Sequence, residues 1–220
     1  MNIESAVVLV TSAGSQTGST LATHFASLGA SVVLCDTDKR LLSETYQRCH
    51  SQSDSVYQFA LPDHSLDSIN QLFHFIENVL DCSPDVLINT FTAQAMPNIF
   101  DSSATDVFSQ HLTCMANTLF GFGQATAERM RKEKKNGVIV NVIGHNTQLH
   151  QGGFDNASSM VAGFTQSWAK ELTPFNIRVG GVVPCHEQNG LHWAEIQDEV
   201  IRNTEYIVSN DYFSGRVVAA

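Results

Sequence analysis

Five apolar runs recur along this chain, at Ala6–Val10, Ser31–Cys35, Asp85–Asn89, Gly137–Val142 and Ile177–Val183. All are rich in valine and isoleucine, and their interiors do not alternate polar with apolar residues. A strand of that kind is covered on both faces. The segments between them carry helical spacing instead. Leu21, Phe25 and Leu28 share one face of a helix starting near Gly18 and ending at Gly29 in the C′ manner. A second helix is expected from Asp38 to about His50. From Ser65 to Leu80 the apolar set is Ile69, Leu72, Phe73, Ile76 and Leu80. A long helix over Ala104–Arg131 carries Phe108, Leu112, Met115, Leu119 and Phe122. Another over Ser158–Leu172 carries Val161, Phe164, Trp168 and Leu172. Short strands are expected at Ser55–Phe59 and Gly215–Val218, with a helical stretch near Trp193–Asn203. Strands alternating with helices at this spacing specify a parallel sheet covered on both faces.

No proline-rich or glycine-serine linker interrupts the pattern, so residues 1–220 read as one domain with no solenoid repeat. The net charge of −10 argues against nucleic acid and anionic membrane surfaces as partners. The short basic stretch Arg129–Lys135 suits a helix C-terminus, where cations oppose the dipole. The five cysteines form no C-x-x-C pair and no metal spacing, which reads as free thiols in a reducing compartment. The opening Met-Asn-Ile-Glu-Ser runs directly into a strand, and no apolar run reaches spanning length. A cytoplasmic location is the expectation.

The first strand–turn–helix reads Val10-Thr-Ser-Ala-Gly-Ser-Gln-Thr-Gly18, placed where a doubly wound fold holds a dinucleotide pyrophosphate. It is followed by Leu21-Ala-x-x-Phe-Ala-x-Leu-Gly-Ala30 and Val32-Val-Leu-Cys-Asp36. Further on stand Asp85-Val-Leu-Ile-Asn89, Val138-Ile-Val-Asn141, Trp168-Ala-Lys-Glu-Leu172, Ile177-Arg-Val179 and Val182-Val-Pro184. In this order, over nearly the whole chain, these segments resemble the short-chain dehydrogenase/reductase family. The resemblance implies a Rossmann-type, three-layer α/β/α fold with a doubly wound, mostly parallel sheet of about seven strands. It implies an oxidoreductase lineage with NAD as cofactor and a small-molecule carbonyl or alcohol as substrate. The cofactor would meet Ser12, Ser15, Gln16, Thr17, Gly18, Asp36, Asn89 and Pro184. In the family the two long helices pair between subunits, which implies a homodimer or homotetramer.

Asp36 ends the second strand, where a carboxylate accepts from the adenosine ribose and repels a 2′-phosphate. No arginine is adjacent, since Arg40 lies four residues on, so NAD(H) is favoured over NADP(H).

The departures are as informative. The family turn T-G-x-x-x-G-x-G becomes a sequence with Ser12 and Gln16 at its first two glycines, and only Gly18 is kept. A side chain at Gln16 stands where backbone should approach the phosphates. The family's N-N-A-G becomes Asn89-Thr-Phe-Thr92, and its helix-4 asparagine falls at Met115. The tyrosine and lysine of Y-x-A-S-K fall at Phe154 and Ser158. The serine falls at Gly144 by strand match, or at Asn141 by counting back. In the family these side chains pass the proton that accompanies hydride transfer, hold the nicotinamide ribose and polarise the carbonyl. Losing such acid–base help costs on the order of 10²–10⁴-fold in rate. No catalytic residue is assigned, and impaired hydride transfer is expected. One alternative is an active NAD-dependent oxidoreductase with a relocated acid at His145, His150 or Asp155, with Thr147 in the same loop. Another is a non-catalytic subunit that partners an active relative. The spacing of His145, His150, His186 and His192 matches no metal site. The segment from Pro184 to Gly215 is short, which implies a shallow substrate pocket.

Overall fold

The computed structural model describes residues 1–92, 97, 100, 104–144, 151–184 and 193–220, with 151–155 and 193–194 described by backbone alone. Seven strands form one sheet: β1 (Val7–Val10), β2 (Ser31–Asp36), β3 (Val56–Ala60), β4 (Val86–Thr92), β5 (Val138–Gly144), β6 (Arg178–Val183) and β7 (Arg216–Ala219). Their order is β3-β2-β1-β4-β5-β6-β7, and every pairing is parallel. The expected doubly wound sheet is present. The winding reverses between β1 and β4, which opens a crevice beyond their carboxyl ends.

Among the described residues, six α-helices cover the sheet: α1 (Gln16–Ser27), α2 (Lys39–His50), α3 (Leu66–Leu80), α4 (Ala104–Lys132), α5 (Gln151–Leu172) and α6 (Trp193–Ser209). Ser15 caps α1, Asp38 caps α2 and Ser65 caps α3, each accepting from a first-turn N–H. One face of the sheet packs Leu72, Phe73, Phe122, Val161 and Trp168 from α3, α4 and α5. The other packs Leu21, Phe25, Leu42, Val200 and Ile207 from α1, α2 and α6. Phe25, Phe73 and Phe122 are fully buried. Each contributes roughly 2–3 kcal/mol by leaving water.

Two helices differ from expectation. α5 begins at Gln151, seven residues before Ser158, because Gly152-Gly153 disguises a helical start. On α4, Met115, Leu119 and Phe122 are buried as expected, but Phe108 and Leu112 are 44% and 37% exposed. A helix of 29 residues rises about 43 Å. A seven-residue strand such as β4 spans only about 23 Å. The amino end of α4 therefore overhangs the sheet.

Candidate functional site

The crevice is built from the carboxyl ends of β1, β2, β4 and β5 and the first turn of α1. Its floor is laced together. The Thr11 hydroxyl lies 3.2 Å from both Asn89 Oδ1 and the Thr90 carbonyl, and it accepts from Thr90 N at 2.9 Å. The Thr90 hydroxyl donates back to the Thr11 carbonyl. Asn89 Nδ2 donates to Leu119 O at 2.9 Å and approaches Asn141 Oδ1 at 3.4 Å. Asn89 is fully buried, so its polar atoms tie β1, β4, β5 and α4 to one another.

The β1–α1 turn bends back tightly. Ser12 takes a left-handed backbone with φ 45°, a conformation glycine adopts at less cost. A β-carbon on Gly18 would lie 2.3 Å from the Ser12 carbonyl oxygen, so only glycine fits there. Ser15 accepts from Gly18 N at 3.0 Å. Gln16 is exposed and Thr17 is buried, both in the first turn of α1. That turn offers N–H groups with no intrahelical acceptor.

Asp36 is half-buried at the end of β2. Its Oδ2 accepts from Gly14 N at 2.8 Å and its Oδ1 from Asp38 N at 2.9 Å. Each oxygen keeps a further acceptor position. Arg40 turns to Glu44 at 2.7 Å and is largely exposed. Next to Asp36, burial first and the neighbouring carboxylate second push the Cys35 thiol well above its ordinary value. It stays protonated and inert.

On the β4–β5 side the crevice is different. Gly144 ends β5 opposite Thr92. A β-carbon placed on it would lie 3.4 Å from the Phe91 carbonyl, 3.4 Å from Thr17 Oγ1 and 3.6 Å from Thr92 Oγ1. These are ordinary contacts, so the empty position is ringed by oxygen. A cavity of about 170 Å³ beside it is lined by Ser12, His64, Phe91, Thr92, Cys114 and Met115, with Thr118. Among the described residues, neither tyrosine nor lysine lines it. Tyr57 sits on the outermost strand β3, and Tyr206 packs on Phe213. The Ser158 hydroxyl is buried without a hydrogen-bond partner. Pro184 is buried immediately after β6.

The sequence-derived set thus divides. Ser12, Ser15, Gln16, Thr17, Gly18 and Asp36 gather around the β1–β2 side of the crevice, Asn89 lies under its floor, and Pro184 follows β6. His145, His150, Thr147, His186, His192 and Cys185 lie outside the described residues, as do the side chains of Phe154 and Asp155. His64, Thr92 and Cys114 line the crevice with no spacing signal in the sequence to mark them. The described residues hold no cluster of three or more histidine, cysteine, aspartate or glutamate side chains that could bind a metal.

A larger cavity, about 690 Å³, opens at the opposite end of the sheet. Its cations are already committed. Lys135 pairs with Asp85 at 2.8 Å, and Arg178 donates to the carbonyls of Ile207, Val208 and Phe213. Among the described residues, no helix is long and apolar enough to cross a membrane.

A crevice at the reversal of a seven-stranded parallel sheet, with an acid ending β2, is the arrangement in which doubly wound α/β proteins hold nucleotides. The family model of the short chain dehydrogenases matches residues 6–197, and the chain belongs to that family. The diacetyl reductase [(S)-acetoin forming] of Staphylococcus epidermidis is 24% identical over 212 residues, which is 95% of this chain and 81% of that protein. The NAD+-bound xylitol dehydrogenase superposes with a TM-score of 0.83 at 18% identity, covering 97% of this chain and 96% of that one. An NADPH-bound short chain oxidoreductase from Pseudomonas aeruginosa PAO1, described as containing an atypical catalytic center, gives 0.83 at 17% identity, covering 99% and 95%.

Proposed function

We propose that this chain is a divergent short-chain dehydrogenase/reductase that binds NAD(H) in the β1–β4 crevice and is impaired in standard hydride transfer. The observation that carries the reading is one of substitution. By sequence match Phe154 and Ser158 fall at the family's tyrosine and lysine, and Gly144 or Asn141 at its serine, and among the described residues no tyrosine or lysine lines the cavity beside Gly144.

The residues present fit the dinucleotide. The position of Gly18 admits no β-carbon, so the turn keeps its backbone close under the first turn of α1. The N–H groups of that turn would receive the pyrophosphate. The free acceptor positions of Asp36 would take the adenosine ribose hydroxyls, and its charge would repel a 2′-phosphate that no adjacent arginine offsets. NAD(H) is therefore preferred to NADP(H). Bound there, the nicotinamide supplies the capacity to give or take a hydride. The protein must then supply or remove a proton at the substrate oxygen. Phenylalanine has no exchangeable proton, and Ser158 cannot carry the lysine's charge. The crevice would bind and orient a small carbonyl or alcohol without moving its proton.

The exposed Phe108, Leu112 and Phe120 on α4, with Phe120 packed on Phe164 and Trp168 of α5, suit pairing of two copies through these helices. Titration calorimetry with NADH and NADPH tests the nucleotide reading. Binding of NADH that exceeds NADPH by tenfold or more is expected. Heat from neither nucleotide would remove the reading.

A further inference from the structure

By composition α1 is poorly helical in the very turn assigned to the pyrophosphate. We infer that Gln197 of α6 is a positioning residue for the dinucleotide, acting through Thr20 to hold the first turn of α1 in shape. The inference rests on NAD(H) binding in this crevice.

Residues 17–20 read Thr-Gly-Ser-Thr. Each favours a helix less than alanine does, and serine and threonine hydroxyls compete for backbone partners. The large apolar anchors of the helix, Leu21 and Phe25, come only after this stretch. Two hydroxyls pull on one carbonyl: Ser19 donates to Gln16 O at 3.1 Å and Thr20 at 2.9 Å. With its one proton given to Gln16 O, the Thr20 oxygen can only accept from any further partner. Gln197 Nε2 supplies that bond from α6 at 3.1 Å. The row Gln197–Thr20–Gln16 therefore runs in one direction, and each bond polarises the next. α6 is a firm support for it. Val200, Thr204 and Ile207 are buried, and Arg178 holds the Ile207 and Val208 carbonyls at the carboxyl end of the helix. A second tie, His24 Nε2 to Glu205 Oε2 at 2.7 Å, joins the same two helices farther along. Gln197 thus acts through Thr20 on the turn whose free N–H groups the pyrophosphate would meet.

The test reads the turn and the ligand separately. Q197L keeps most of the side-chain bulk and removes the donor, and T20V removes the hydroxyl. In ligand-free protein each should speed amide exchange at residues 19–22 about fivefold, the scale of one hydrogen bond, while the amides of α3 keep their native rates. Each should weaken NADH about fivefold by calorimetry. The double variant should lose no more than either alone, and T20S should hold near-native affinity. Thermal melts show whether each variant is folded. Unchanged exchange at α1 in folded Q197L overturns the inference. So does unchanged NADH affinity beside faster exchange, full additivity of the two losses, or a T20S loss equal to that of T20V. Native NADH affinity in every variant sinks the inference alone. A wild-type protein that takes up no NADH sinks the nucleotide reading, and the inference with it.

Discussion

The two halves of the crevice differ in what their side chains are still doing. On the β1–β2 half, the turn and the strand end hold one backbone shape. Ser12 bends left-handed, Gly18 packs against its carbonyl, Ser15 caps α1, and Asp36 pins Gly14 while holding Asp38. On the β4–β5 half, Gly144 leaves a side-chain position empty and the buried Ser158 hydroxyl has no hydrogen-bond partner, and on the proposed reading Gly144, Phe154 and Ser158 stand where the family handles its proton. A fold keeps the interactions that shape its backbone, because their loss unfolds a turn. It can shed side chains that only act on a ligand, since nothing in the sheet depends on them.

The sharpest way to break this contrast is to add one methyl group to each half. Gly18→Ala drives a β-carbon to 2.3 Å from backbone oxygen. It should cost about 2–3 kcal/mol or more of stability. Gly144→Ala meets only ordinary contacts at 3.4 Å and beyond. It should be neutral or stabilise by roughly 0.5 kcal/mol. Denaturant melts of the two variants read both numbers, and equal costs would erase the distinction. Asp36→Asn keeps a side-chain oxygen but loses the charge. The loss of charge-assisted hydrogen bonds should cost about 1–2 kcal/mol. It should also bring the affinities for NADH and NADPH to within a few fold of each other, as read by calorimetry.

Most of the fold was legible because buried parallel strands write themselves as apolar runs such as Val7–Val10 and Val138–Val142. The missed start of α5 lies at Gly152-Gly153, where helix propensity points the wrong way. The exposure of Phe108 and Leu112 was hidden because periodicity records which side of a helix is apolar, not where the sheet beneath it ends. Gly18 and Asp36 could be found from their distance to strand ends. The ring of oxygens at Gly144 could not, since it joins α1, β4 and β5 across about 130 residues of sequence and depends on the β4–β5 register. His64 and Cys114 reach the same cavity from separate elements, and a single histidine or cysteine carries no spacing.

Smaller effects refine the picture of the shaped half. Ser12→Gly relieves a left-handed residue. Its gain is set against the extra freedom of glycine in the unfolded chain, so the net change should stay within about 0.5–1 kcal/mol. A large loss in a melt would mean that the Ser12 side chain matters to the turn. At the amino end of α3, hydrogen bonds from Ser65 and Ser68 lower the Asp63 carboxylate to about 2. An acid depressed in the folded state stabilises above its unfolded pKa of about 4, and that support fades as pH falls through about 2. The stability difference between wild type and Asp63→Asn should therefore be present at pH 5 and shrink toward pH 2. A pH-independent difference in chemical melts would contradict that assignment.

The central claim is that the nucleotide half has been kept while the chemical half has been stripped. Hydride transfer from the NADH-saturated protein to a panel of small carbonyls that includes diacetyl tests it most directly, followed by loss of NADH absorbance. The account predicts bound NADH with turnover at or near the uncatalysed background. Turnover at ordinary enzyme rates, on the order of 1–10 per second, would contradict it.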